Sequence, residues 1–184
     1  MPGQKRGGLK KDAALPAQAD KAAPEMETKA GANAAMALAL RFISYRPRTV
    51  KETVQKLTDN GFAGNVITGA VSRLASAGYL DDERFARELA GSRIRNKNWG
   101  LKRVALDLRS KGISDEVIHA ALSSIDASAD TETAARALEK WTRKTGAHLP
   151  LEKKELEKAF RHLAARGFSA QVIMGLLKRS GRDD

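Results

Sequence analysis

The segment Gly78–Ala86 reads GYLDDERFA and sets three carboxylates, Asp81, Asp82 and Glu83, in succession. Clustered carboxylates can ligate a divalent cation or divide acid and base roles between them. Either chemistry needs their oxygens to converge. On a helix, consecutive side chains leave the axis about 100° apart, so these three diverge. Further ligands would have to come from elsewhere. The histidines, His119, His148 and His162, stand in unrelated contexts with no paired spacing. The stretch reads better as a helix start. Asp81 or Asp82 caps a helix running from Asp82 to about Lys97, and the other acids sit on the positive end of its dipole. Tyr79 and Leu80 are expected to fold back on Phe85 or Ala86 as a hydrophobic staple. Phe85, Ala86, Leu89, Ala90 and Ile94 make the buried stripe.

Other reactive chemistry is as sparse. The sequence contains no cysteine, which excludes thiol nucleophiles, disulfides and thiolate metal sites. No glycine-rich phosphate loop or serine nucleophile elbow occurs. The expectation is a non-enzymatic protein with no cofactor and no metal. The 184 residues are 42% hydrophobic, enough to bury a core. No apolar run approaches the roughly 20 residues of a membrane span. The N-terminal MPGQKRGGLKK lacks a signal-peptide core, so the expected location is the cytoplasm and the expected state a monomer. The net charge of +11 points to a polyanionic partner, most simply nucleic acid or a protein bound to it.

Residues 1–33 are rich in Gly, Ala, Pro and Lys, lack aromatics and are expected to be a disordered basic tail. Their charge is only +2, from six basic and four acidic residues, which leaves +9 on the remainder. From Ala34 apolar residues recur at three- and four-residue spacings, the pattern of helices. Thr49 and Glu52 form a capping box after Pro47, Ser114 and Ser169 have the position of N-caps, and Gly61, Gly112 and Gly167 follow helical stretches where a left-handed C-cap wants glycine. A weak linker is expected at Asp126–Asp130 and a loop at Lys144–Pro150.

The three glycines expose an internal repeat. LTDNGFAGNVITGAV (Leu57–Val71), LRSKGISDEVIHAAL (Leu108–Leu122) and LAARGFSAQVIMGLL (Leu163–Leu177) share Leu, then Gly four later, then Phe or Ile, with Val-Ile beyond. The glycines are 51 and 55 residues apart. A further helix precedes each pair, at about Ala35–Ser44, Asp82–Lys97 and Thr131–Arg143. The expected fold is therefore all-α: three tandem three-helix repeats at 34–80, 81–127 and 128–184, forming an elongated, curved molecule.

The densest basic run is Arg93–Lys111, with Arg93, Arg95, Lys97, Lys102, Arg103, Arg109 and Lys111 against Asp107 alone. Arg93 and Lys97 share a helix face while Arg95 lies nearly opposite, so only part of the run can meet one surface. A smaller group, Arg41, Arg46, Arg48 and Lys51, sits in the first repeat. Another, Lys140, Arg143, Lys144, Lys153 and Lys154, sits in the third. Trp99 either packs at the mouth of the core or stacks on a base or a partner side chain. Trp141, Phe62 and Phe168 are core by periodicity.

Several of these stretches resemble the RecX family of regulators of the RecA recombinase. The resemblance is carried by GYLDDERFA with KNWGLKRVALDLRSKGIS, by RPRTVKETVQKLTDNGF, in which Val54 stands where leucine is more usual, and by HLAARGFSAQVIMGLL. It covers about Ala34 to Ser180. It implies a modulator, mainly an inhibitor, that binds RecA and its filament on single-stranded DNA, lies along the filament groove and suppresses ATPase, strand-exchange and coprotease activities. Some such proteins bind DNA directly. The residues expected to meet RecA or DNA are Arg93, Arg95, Lys97, Trp99, Lys102, Arg103, Arg109, Lys111, Arg46 and Arg48. The rival is a helix–turn–helix reader of duplex DNA. Its would-be recognition helices, Asn65–Ala77, Ser114–Ser124 and Ser169–Lys178, are poor in base-reading side chains.

Overall fold

The computed structural model describes residues 29–180, and the first 28 residues of the expected tail lie outside that range. The described residues form helices and loops only. The helices are α1 (Lys29–Ser44), α2 (Val50–Asp59), α3 (Gly64–Ser76), α4 (Asp82–Lys97), α5 (Leu101–Ser110), α6 (Asp115–Ser123), α7 (Ala127–Thr145), α8 (Lys153–Ala165) and α9 (Ala170–Ser180). They pack in consecutive threes, α1–α3, α4–α6 and α7–α9, each around its own apolar cluster.

Two boundaries differ from expectation. α1 begins at Lys29, inside the segment read as tail, because the run from Ala30 to Ala35 is alanine-rich and alanine has the best helix propensity. The stretch read as a linker at Asp126–Asp130 is the first turn of α7, with Asp126 accepting a bond from Ser128 N–H as N-cap.

The repeated Leu-x-x-x-Gly-Phe/Ile sequence has one physical basis. At each occurrence the helix closes with a left-handed glycine, Gly61, Gly112 or Gly167, at φ 77°, 83° and 89°. The residue after it donates back to the leucine carbonyl: Phe62 to Leu57, Ile113 to Leu108 and Phe168 to Leu163, at 3.2–3.3 Å. This is a Schellman closure, in which the two residues that hydrogen-bond also bring their side chains together. Leu57, Leu108 and Leu163 are fully buried as a result. Truncating any of them to Ala costs about 2–5 kcal/mol.

Capping follows the sequence reading closely. Thr49 and Glu52 form the capping box of α2. Ser114 Oγ accepts from Val117 N–H, and Ser169 Oγ from Val172 N–H. In GYLDDERFA, Asp81 caps α4 by accepting from Arg84 N–H at 2.8 Å. Leu80 does not join the expected staple. Leu80 is buried in the first cluster, with Leu57 and Leu74, while Phe85 belongs to the second and Tyr79 is exposed. The chain crosses from one core to the next between Leu80 and Phe85, so the two ends of the motif serve different bundles.

Asp82 has a separate task. Its carboxylate accepts at 3.0 Å from Val50 N–H, the first amide of α2 in the preceding bundle. Asp130 accepts in the same way from Leu101 N–H, the first amide of α5. Beside each carboxylate a second bond forms. Thr49 Oγ1 donates to Lys111 O at 2.8 Å, and Gly100 N–H donates to Arg166 O at 2.8 Å. Thus the starts of α2 and α5 dock on the glycine turns of the bundles that follow them. The approach is close enough that a Cβ on Gly112 would overlap the Lys51 side chain, and one on Gly167 would overlap Arg103.

Two outcomes follow from these joints. Gly146 also has positive φ, 71°, but open space around it. Gly146→Ala is expected to lose about 1 kcal/mol from backbone strain, and Gly167→Ala about 1–3 kcal/mol more from the blocked joint. Urea titration of both variants measures the difference. Burial is the main cause that raises the carboxyl pKa of Asp82 and of Asp130. A raised native pKa means that the folded chain binds protons more tightly than the unfolded one, so these two groups make stability fall as pH rises from the ordinary carboxylate value through the raised native one. Asp82→Asn keeps an acceptor for Val50 and should flatten that part of the profile. Asp82→Ala should lower stability across it.

Candidate nucleic-acid and partner interface

The basic run divides by what each side chain touches. Arg93 Nε bonds Asp107 Oδ2 at 2.7 Å, in a half-buried pair. Its guanidinium also faces the Trp99 ring at 5.2 Å, and Arg103 faces that ring at 4.5 Å. Trp99 packs against the second core and is partly buried. It is therefore held by two cations, each worth about 0.5–1 kcal/mol where partly exposed. Arg103 Nη1 donates onward to Ala165 O at 2.8 Å. Arg166 answers from the other side, donating through Nη1 to Lys97 O at 2.6 Å. The Arg93–Trp99–Arg103 stack is thus part of the joint between the second and third bundles.

Arg166 is oriented from within its own helix turn. Its Nε donates to His162 Nε2 at 3.0 Å, which requires a neutral imidazole at that nitrogen. Burial, then Arg166 and Lys144, lowers the His162 pKa, so the neutral form is favoured. The ring lies 6.1 Å from Trp141.

Other expected contact residues have different settings. Arg109 pairs with Asp115 at 2.6 Å on an exposed surface. Such a pair contributes little to stability and leaves Arg109 accessible. Arg95, Lys97 and Lys102 are exposed and have no ion-pair partner among the described residues. Lys102, Leu106 and Arg109 lie at helical spacing on α5, and Leu106 is 63% exposed. This face joins cations to an apolar side chain, a combination that suits a protein surface as well as phosphate.

At the first joint Arg46 pairs with Glu52 at 3.1 Å. Arg48 lies flat over Phe42 at 3.9 Å, and its buried Nε has no hydrogen-bond partner among the described residues. Burial, then the neighbouring Arg46, lowers the Arg48 pKa. A groove of about 410 Å³ runs from Arg46 past Phe85, Leu89 and Ser92 to Arg93 and Lys111. It connects the two basic groups that the sequence shows as separate. A second groove, about 920 Å³, opens between α8 and α9 and is lined by Leu156, Phe160, Met174 and Leu177, with Glu157, Arg161 and Lys178 at its edge.

Sequence reasoning passed over Tyr45 and Leu106 and took Tyr79 for a staple residue, whereas all three are exposed. The signal for Tyr45 was present in SYRPR, an aromatic residue beside two arginines. Among the described residues no three His, Cys, Asp or Glu side chains are grouped as metal ligands. No described helix is long and apolar enough to cross a membrane.

A row of small three-helix bundles, jointed through helix termini, defines an all-helical protein of the repeat class. Comparison with known proteins makes this more specific. Residues 35–74 match the model of the first three-helix domain of RecX, and residues 81–122 match that of the second. A regulatory protein RecX from Chromobacterium violaceum is 33% identical over 148 residues, covering 80% of this chain and 91% of the relative. One from Bacillus licheniformis is 36% identical over 143 residues, but the chain spans only 53% of its length. The crystal structure of RecX from Lactobacillus salivarius superposes with a TM-score of 0.73 at 22% identity, covering 80% of this chain and 95% of that one, which supports the shared fold. The chain belongs to the RecX family of regulatory proteins.

Arg166→Ala removes the bonds to Lys97 O and Asn98 O across the second joint. Each bundle keeps its own core, so helical content by circular dichroism should hold. Amide exchange at 98–103 should rise about tenfold, and the emission of Trp99 should shift to the red. Unchanged exchange there would show that the joint does not depend on this side chain.

Proposed function

We propose that the chain modulates, mainly by inhibition, a RecA recombinase assembled on single-stranded DNA. Family membership supports the regulatory role, and its relatives carry the name regulatory protein RecX. The observation that carries the mode of action is the exposed set Arg95, Lys97, Lys102 and Leu106 on the central bundle. Cations beside an apolar side chain suit a filament, which presents both protein and phosphate. The jointed bundles add further contacts along such a partner, and weak contacts at several points sum through effective concentration. The apolar groove between α8 and α9 offers a protein partner a further foothold. On this reading bound protein impedes ATP hydrolysis, strand exchange and coprotease action, in regulation of DNA repair and recombination within the cytoplasm.

The duplex-reader alternative has weaker support. α6 begins with Asp115 and Glu116, acids that would face incoming phosphates from a recognition helix. α3 carries one basic residue, Arg73.

The test is RecA with single-stranded DNA and ATP, followed by hydrolysis and strand exchange. Inhibition at stoichiometries below large excess is expected. The triple variant Arg95→Glu, Lys97→Glu, Lys102→Glu spares the Arg93–Trp99–Arg103 stack, so it should fold. It should raise the half-inhibitory concentration about tenfold or more and reduce its salt dependence. A folded variant that inhibits as well as the parent would move the contact elsewhere.

A further inference from the structure

The internal repeat lets the third bundle be compared with the first two, position by position. Phe160 stands where they have Val54 and Ala105, and Met174 stands where they have Thr68 and His119. Both large side chains line the groove of about 920 Å³ between α8 and α9, together with Leu156 and Leu177. Phe160 and Leu177 are half-buried and lean on the third core, whereas Met174 is 50% exposed. An open apolar groove is surface that the fold of the bundle does not need, since the other two bundles fold with smaller or polar side chains there.

Three kinds of occupant are open to it, and the chain itself disfavours two. Leu156 is the counterpart of Val50 and Leu101, whose amides receive Asp82 and Asp130 from the following bundle. In the third bundle that amide donates to Glu152 O at 2.8 Å, so the place where a further bundle would be tied on is already used. A second copy would also bring α1, which has no acid in its first turn. Two copies meeting groove to groove would repel, because α8 and α9 carry six Lys and Arg against two Glu. The chain's own residues 1–28 offer Met1, Leu9, Leu15 and Met26 as large apolar side chains, no two of them three, four or seven apart, with Pro16 and Pro24 between. Such a segment presents no helical stripe.

The charge at the edge specifies the third kind. Arg161 stands on the α8 wall and Lys178 on the α9 wall, both exposed and without an ion-pair partner among the described residues. Glu157 is the one acid of the lining. A valley between two helices, apolar along its floor and cationic on both banks, is complementary to a helix with an apolar stripe and acidic flanks. We propose that the α8–α9 groove docks one acidic amphipathic helix of a partner protein, its apolar stripe on Phe160, Met174 and Leu177 and its acids on Arg161 and Lys178. This deepens the partner reading of the groove and rests on it only in that the occupant is a protein. RecA need not be that protein.

The experiment uses the full chain, with no RecA present, and a fluorescein-labelled synthetic helix of about 18 residues that has leucine at i, i+3, i+4 and i+7 spacings and glutamate on the flanks. Anisotropy should show saturable one-to-one binding. The same peptide with lysine in place of glutamate should bind about tenfold more weakly or worse. Met174→Glu changes an exposed side chain, so the melting temperature should hold while affinity for the acidic peptide falls about tenfold or more. Arg161→Glu with Lys178→Glu should reverse the preference between the two peptides. In methyl spectra the Met174 signal should move on peptide addition and that of Met36, in the first bundle, should stay. No binding of the acidic peptide, equal binding of the lysine peptide, or full affinity in Met174→Glu overturns the assignment. So does self-association of the parent chain that Met174→Glu abolishes, which gives the groove to a second copy. So does a nuclear Overhauser contact between the Met26 and Met174 methyls, which gives it to the chain's own N-terminal segment. RecA inhibition by the parent chain, measured separately, reports on the regulatory reading alone.

Discussion

The fold depends on one kind of contact, a carboxylate from one bundle capping a helix of the bundle before it. Asp82 takes the first amide of α2, and Asp130 takes the first amide of α5. A helix N-terminus concentrates unpaired donors and positive potential, so a buried anion there is both hydrogen-bonded and charge-compensated. The carboxylate costs some desolvation, as the raised pKa values of both aspartates show. In return, separate small cores become one array with defined geometry. Each bundle has only three helices of limited length, and its neighbours complete the satisfaction of its helix ends.

The glycine turns complete the joints. Gly112 and Gly167 close their own helices in the left-handed conformation, and they also leave room for the preceding bundle, the Lys51 side chain at Gly112 and the Arg103 backbone at Gly167. The two requirements coincide at the same residue. The third bundle departs from the pattern. α8 starts a turn earlier, and its N-cap amide, Glu152 N–H, donates to Glu155 Oε2 at 3.3 Å, within the segment itself.

The joints also redistribute the basic charge. Arg93, Arg103 and Arg166 are committed to the second joint, through Asp107, Trp99 and backbone carbonyls. Arg95, Lys97 and Lys102 remain outside it. A net count along the chain treats these cations alike, whereas a partner meets only the second set. Long-range attraction belongs to the whole charge, and short-range recognition to the few groups whose donors are not already used.

Much of this was legible in the amino-acid sequence, because it rests on local rules. The helical periodicity, the capping box at Thr49, the N-caps at Asp81, Ser114 and Ser169 and the three left-handed glycines involve partners within a few residues. Helix starts at Lys29 and Ala127 were placed late, since alanine-rich and polar first turns carry little periodic signal. The role of Asp81 in GYLDDERFA as a helix cap was equally local. Its second aspartate was not. Asp82 reaches Val50, 32 residues away, Thr49 reaches Lys111, and Arg166 reaches Lys97. No spacing rule encodes those distances, so the fate of Leu80 and the stacking of Trp99 were decided only when neighbouring bundles docked. Sequence determined the units, through short-range hydrogen bonds and side-chain period. Tertiary structure decided which polar groups the joints consume and which stay exposed, because that depends on long-range burial.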